Sequence, residues 1–253
     1  MSDAFLSQTI KIGTEDGEIE AYAALVQDAS PRGGVVVIHH MPGYDAESKE
    51  IVRRFAAMGY NAVMPNLYWR DAPGAAPDDA AAAGRAKGGV PDARLVTDVT
   101  AGAAYLRALE NSNGKVGSIG YCSGGRQSVL AGISVDLDAV VDCYGAFVTG
   151  VVPEGFPLQV EPLNERVAGL RCPVLGLFGN DDQYPTPEQV DEFERLLKEN
   201  GKEYEFHRYD GAGHAFFNAS RPAYRAEQAL DGWTKVFAFF HKHLATQAAA
   251  RAA

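Results

Sequence analysis

The stretch from Lys115 to Arg126, KVGSIGYCSGGR, constrains this chain more than any other. A short, β-prone apolar run ends in Gly120-x-Cys122-x-Gly124-Gly125, and a helix-like segment from Gln127 to Ile133 follows. Strand, tight elbow and helix in that order lift one nucleophilic side chain clear of the backbone, and the usual occupant is a serine. Glycines on either side let strand and helix approach closely. Here the projecting group is the thiol of Cys122. A nucleophile of this kind needs an acid and then a histidine later in the chain. Asp181 follows a strand-like run in Gly179-Asn180-Asp181-Asp182, and His214 stands in Gly211-Ala212-Gly213-His214. Asp181 and Asp182 are both candidates for the acid. Asp181 stands nearer the strand end and is expected to orient the imidazole, with its neighbour capping the next helix or loop.

The rest of the sequence builds a frame for that elbow. Gln8 to Ile12 and Ile19 to Val26 flank Glu15-Asp16-Gly17 and are expected to form an antiparallel hairpin. Val35 to Ile38 is a continuous apolar run of the kind buried on both faces of a parallel sheet. Further strands are expected over Asn61–Leu67, Leu137–Tyr144, Pro173–Phe178 and Glu203–Tyr209. Helices are expected over Ala46–Met58, Asp92–Glu110, Pro187–Asn200 and Arg221–Leu244. Residues 71–91 read as a surface excursion with a short Ala-rich helix, and 151–167 as a proline-bearing loop at the rim of the sheet. This alternation predicts an α/β fold, a mostly parallel sheet with helices on both faces and an antiparallel pair at the N-terminus. The 253 residues are expected to form a single domain, with an Ala-rich tail from about 246 that frays.

Composition narrows the function classes. A formal net charge of −10 argues against a nucleic-acid surface, and no apolar run is long enough to span a membrane. Three cysteines cannot complete a set of disulfides, and the N-terminus carries no signal-peptide pattern, so a cytoplasmic location is expected. Cys143 and Cys172, inside apolar strands, read as small hydrophobes.

One oxyanion donor comes with the elbow itself, the backbone N–H of Ser123. The second is expected after the Val35–Ile38 strand, in His39-His40-Met41-Pro42-Gly43, where Met41 supplies the N–H and His40 faces the pocket. Adjacent histidines diverge and no matching set of ligands accompanies them, so no metal is expected. The glycine spacing is not that of a dinucleotide fold, and the chemistry calls for no cofactor.

Taken together these residues resemble the dienelactone hydrolase (carboxymethylenebutenolidase) family of α/β-hydrolases, over nearly the whole chain. The matching motifs are the Gly120–Gly124 elbow with its cysteine, Pro65-Asn66-Leu67-Tyr68-Trp69-Arg70, Gly179-Asn180-Asp181, and His214-Ala215-Phe216. The resemblance implies a triad of Cys122, Asp181 and His214 and a reaction that opens an enol-lactone through an acyl-enzyme thioester. It also implies that Arg70 pairs with a substrate carboxylate. Tyr68, Trp69, Arg70, Tyr144, His40 and Phe216 are expected in the pocket wall. Two departures stand out. His40 occupies the place of the family's glutamate, and Asn218 that of its second arginine, so the substrate need not be a dienelactone.

The expectation is therefore an esterase or lactonase acting on a small molecule, as a monomer or homodimer. Its rivals are an acyl transferase on the same scaffold and a thiol sensor that does not turn over.

Overall fold

The computed structural model describes residues 4–245, so the Ala-rich tail lies outside the described residues. Ten-residue strands β1 (Phe5–Thr14) and β2 (Gly17–Val26) pair antiparallel around the expected turn, with Thr14 opposite Gly17. The chain continues through β3 (Arg32–Ile38), α1 (Ala46–Ala57), β4 (Asn61–Pro65), α2 (Pro77–Ala86) and α3 (Asp92–Arg107). The elbow strand is β5 (Ser112–Tyr121), followed directly by α4 (Ser123–Ser134). Then come β6 (Ala139–Cys143), a 3₁₀ turn over Asn164–Gly169, β7 (Val174–Gly179), α5 (Pro187–Glu199), β8 (Tyr204–Tyr209) and α6 (Ala226–Leu244).

The strands make one eight-stranded sheet in the order β1-β2-β4-β3-β5-β6-β7-β8. β2 also runs antiparallel to β4, and every pairing from β4 to β8 is parallel. Alternation of side chains along the central strands divides the core in two. Val36, Ile38, Val116 and Val140 pack with Leu95, Val99 and Leu130 of α3 and α4. Val35, Val37, Ile119 and Val141 face the other way, onto Phe55 of α1 and Trp233 and Phe240 of α6. Because both faces are covered, these strands read as unbroken apolar runs.

Several elements differ from the sequence reading. α4 begins at Ser123, four positions before the expected helix, because Gly124 and Gly125 sit inside its first turn and hide its helical signal. α6 begins at Ala226 instead of Arg221. The residues before it are turns closed by bonds from Asn218 N–H to Ala215 O and from Arg225 N–H to Phe216 O. The excursion over 71–91 carries α2 as expected, yet it is not merely superficial, since Ala80, Ala81 and Val90 are buried.

Candidate active site

The candidate residues collect at the carboxyl ends of β3, β5, β7 and β8, where an open α/β sheet leaves a crevice between its loops. Cys122 follows β5 at the centre of the sheet. Its φ of 58° with ψ of −122° is strained for any residue with a Cβ, as a nucleophile elbow requires. The strain is held by close packing. A Cβ on Gly120 would collide with the carbonyl of Gly124, and one on Gly124 with the carbonyl of Ile38, so strand and helix touch backbone to backbone. Ser123 opens α4, so its N–H has no intrahelical acceptor and points toward the crevice end of the helix. The positive end of the helix dipole favours negative charge at the same place.

His214 Nδ1 lies 2.9 Å from Oδ2 of Asp182, which makes Asp182, not the expected Asp181, the carboxylate that meets the imidazole. The reason is the length of the strand pairing. Asn180 N–H still bonds to Tyr209 O and Asp181 N–H to Ala212 O, so the turn comes one residue late. Asp182 N–H then closes back onto Gly179 O, and its carboxylate faces inward, only 3% exposed. Its other oxygen accepts from Tyr184 N–H at 2.9 Å. Asp181 is left exposed on the rim. Burial works against a charged His214. Hydrogen bonds to Asp182 and Cys122, with their negative charges, overcome it and push the ring's pKa up to about 10. The His214 ring thus lies in line between Cys122 and the Asp182 carboxylate.

The β3 loop is pinned from within. Buried His39 donates from Nδ1 to His40 O at 2.9 Å and accepts Leu67 N–H on Nε2 at 3.2 Å. Burial pulls its pKa down to about 4, so it stays neutral and both nitrogens are committed to structure. His40 is mostly buried, with Nε2 3.6 Å from Asp45, and burial lowers its pKa.

Two cavities open on either side of the thiol. The first, about 280 Å³, runs from Met41 and Tyr68 past Cys122, Ser123 and His214 to Phe147 and Phe156. The second, about 520 Å³, is bounded by His40, Glu47, Tyr144, Asn218 and Arg221, again with Met41, Cys122 and His214 in its wall. The expected residues Cys122, His214, Met41 and Ser123 therefore share one site, with Tyr68 in one cavity wall and His40 and Tyr144 in the other. Tyr144 sets its ring edge-on to His214, at 5.2 Å between centroids.

Three expectations fail. Phe216 is fully buried beneath the site, packed on Tyr144 and Tyr209, and its neighbour Phe217 reaches the second cavity instead. Trp69 lines neither cavity; it is half-buried against the core and covered by Lys11, whose Nζ sits 3.3 Å from the ring centroid. Arg70 lines neither cavity. Its guanidinium bonds Asp98 at 2.8 Å, Asp16 at 2.5 Å and the Thr14 hydroxyl at 3.0 Å, closing the β1–β2 hairpin onto α3. Asp98 is wholly buried, and burial raises its pKa to about 6 even with Arg70 beside it. Arg70→Ala is accordingly expected to cost about 3 kcal/mol of stability by stranding that carboxylate. It should slow carboxylate-bearing and neutral esters by the same factor. Thermal melts and paired kinetics check both, and a loss confined to the charged ester would restore Arg70 as a substrate anchor.

The sequence reading missed Phe147, Phe156 and Tyr184. They come from connecting segments with no apolar period, and only the fold brings them together at centroid distances of 4.9 to 5.6 Å.

A profile of the dienelactone hydrolase family matches residues 19–244. A protein of Methylorubrum extorquens named "Putative carboxymethylenebutenolidase" is 31% identical over 248 residues, covering 96% of this chain and 83% of its own. A protein of Escherichia coli K12 bearing the same name is 30% identical over 247 residues, covering 95% and 89%. Among solved structures, one from Klebsiella pneumoniae, described as "Putative Dienelactone Hydrolase", superposes with a TM-score of 0.83 at 27% identity, over 95% of this chain and 100% of that one.

Proposed function

The chain belongs to the dienelactone hydrolase family of lactone and ester hydrolases, and on that premise we propose that it cleaves a lactone or a small activated ester through a thioester on Cys122. The observation that carries the reading is the line from Asp182 through His214 toward Cys122, with the last two in the walls of both cavities.

The thiolate of Cys122 attacks the substrate carbonyl carbon, and the carbonyl π electrons move onto oxygen. The N–H groups of Met41 and Ser123 hold that oxyanion. Its collapse breaks the bond to the leaving oxygen, which takes the proton from the His214 imidazolium and departs as an alcohol or enol. Neutral His214 then removes a proton from water as the water oxygen attacks the thioester carbon. The second collapse expels the thiolate, restores the imidazolium beside it and releases the acid. Asp182 holds the ring in the tautomer that presents Nε2 to the reacting atoms. No step calls for a cofactor.

A thiolate is a better leaving group than an amine, so an amide adduct collapses back to substrate, whereas enol esters and lactones proceed. Amide turnover should be negligible. All three cysteines are free, which supports a reducing compartment such as the cytoplasm. Among the described residues no helix is long and apolar enough to cross a membrane. A monomer or homodimer acting on a small molecule completes the proposal.

Stopped-flow hydrolysis of p-nitrophenyl acetate tests it. A burst equal to the enzyme concentration, then steady turnover, with a thioester on Cys122 in quenched samples, is the expected result. A single stoichiometric acylation without turnover would mark a thiol sensor instead. Cys122→Ala should abolish burst and turnover together, and full activity in Cys122→Ser would remove the thiol from the mechanism.

A further inference from the structure

We infer that the cavity on the Phe147 side of Cys122 takes an uncharged aryl or branched-alkyl group of the substrate, so that any carboxylate must lie on the opposite side of the scissile bond. The inference rests on the hydrolase reading and adds the substrate class.

The outer end of the cavity is an aromatic box. Phe147 meets Phe156 edge-on at 4.9 Å, and Tyr184 closes on both at 5.4 and 5.6 Å. Leu158 and Val160, from the connection after β6, complete an apolar wall. At about 280 Å³ the space exceeds the roughly 150 Å³ in which an apolar cavity holds benzene. A phenyl ring on a short linker therefore fits between the box and the thiol.

Among the described residues, the aromatic end of this cavity offers an anion no free cation. Away from the His214 ring at the thiol end, the cation in its wall is Arg126, and that guanidinium is spent. It is bidentate to Asp92 at 2.8 and 3.1 Å and donates twice more to the carbonyl of Glu161, at 2.6 and 3.2 Å. Asp181 stands exposed at the rim and Asp182 lies at the inner end, committed to His214. A carboxylate placed among these rings would be desolvated with no free cation to pair it. The second cavity differs, since Arg221 and Asn218 stand in its wall.

Two matched ester pairs test the inference. One varies the acyl side, p-nitrophenyl 3-phenylpropanoate against its 4-carboxyphenyl analogue. The other varies the alcohol side, phenyl acetate against 4-carboxyphenyl acetate. Each kcat/KM is divided by the rate with hydroxide. The expected result is a preference of about 30-fold or more for the neutral member on one side of the ester, and none of that size on the other. Leu158→Arg, which brings a cation to the same wall, should shrink that preference by about 10-fold. Equal or reversed preference on both sides overturns the inference while leaving the hydrolase reading standing. If no ester is turned over, the hydrolase reading fails, and calorimetry decides the cavity alone. Tighter binding of 3-phenylpropanamide than of 3-phenylpropanoate supports an uncharged occupant, and the reverse order overturns it.

Discussion

Asp182→Asn is expected to lower kcat/KM by on the order of 10³-fold while leaving the fold intact, whereas Asp181→Asn changes it by less than about 3-fold. Asparagine fills the same space beside His214. Its amide, however, can present N–H to Nδ1 and so hold the ring in the tautomer that cannot take a proton at Nε2. The removed charge acts a second time, on the pH profile. Asp182 is one of the two partners that raise the His214 pKa above its ordinary value. Without it the imidazolium loses its proton at lower pH, and the alkaline edge of the activity profile moves downward. A pH series on both variants reads this directly. If Asp181→Asn were the damaging change, the two carboxylates would have to exchange the places assigned to them.

Gly120→Ala carries the largest expected effect on stability. The new methyl would lie on the carbonyl oxygen of Gly124, backbone against backbone, in the middle of the sheet where no flexible side chain can yield. Either the strand β5 or the helix α4 must move, and both are packed in the core, between β3 and β6 and beneath α3. The cost should be at least about 3 kcal/mol. For a chain of this length that corresponds to roughly 10 °C in Tm, with the elbow deformed in whatever still folds. Gly13→Ala serves as the comparison, because a Cβ there meets nothing within 4 Å. Equal melting temperatures for the two variants would show that the elbow does not depend on this close approach.

That Cys122, His214, Met41 and Ser123 share one crevice was legible in the sequence because each is tied to a backbone event that leaves a local mark: glycines at an elbow, the residue that follows it, a loop after a strand. Asp181 was misjudged because adjacent carboxylates look alike along the chain. Which one faces His214 depends on how far the β7 extension pairs with the segment after β8, and those segments are remote in sequence. Phe216 and Phe217 pose the same one-residue question, decided by the turn after His214. Arg70 shows a different limit. Its motif is intact, yet its partners Asp16 and Asp98 come from a hairpin and a helix that only the assembled sheet brings beside it.

By itself, then, the amino-acid order settled the type of layers, the run of parallel strands and the place of Cys122 at the elbow between strand and helix, since these follow from periodicity and turn chemistry. The tertiary structure alone decided which carboxylate serves the imidazole, which arginines are already paired, and that an aromatic box flanks the thiol. Those outcomes depend on register between distant segments and on competition for partners, and neither leaves a trace in any local stretch of sequence.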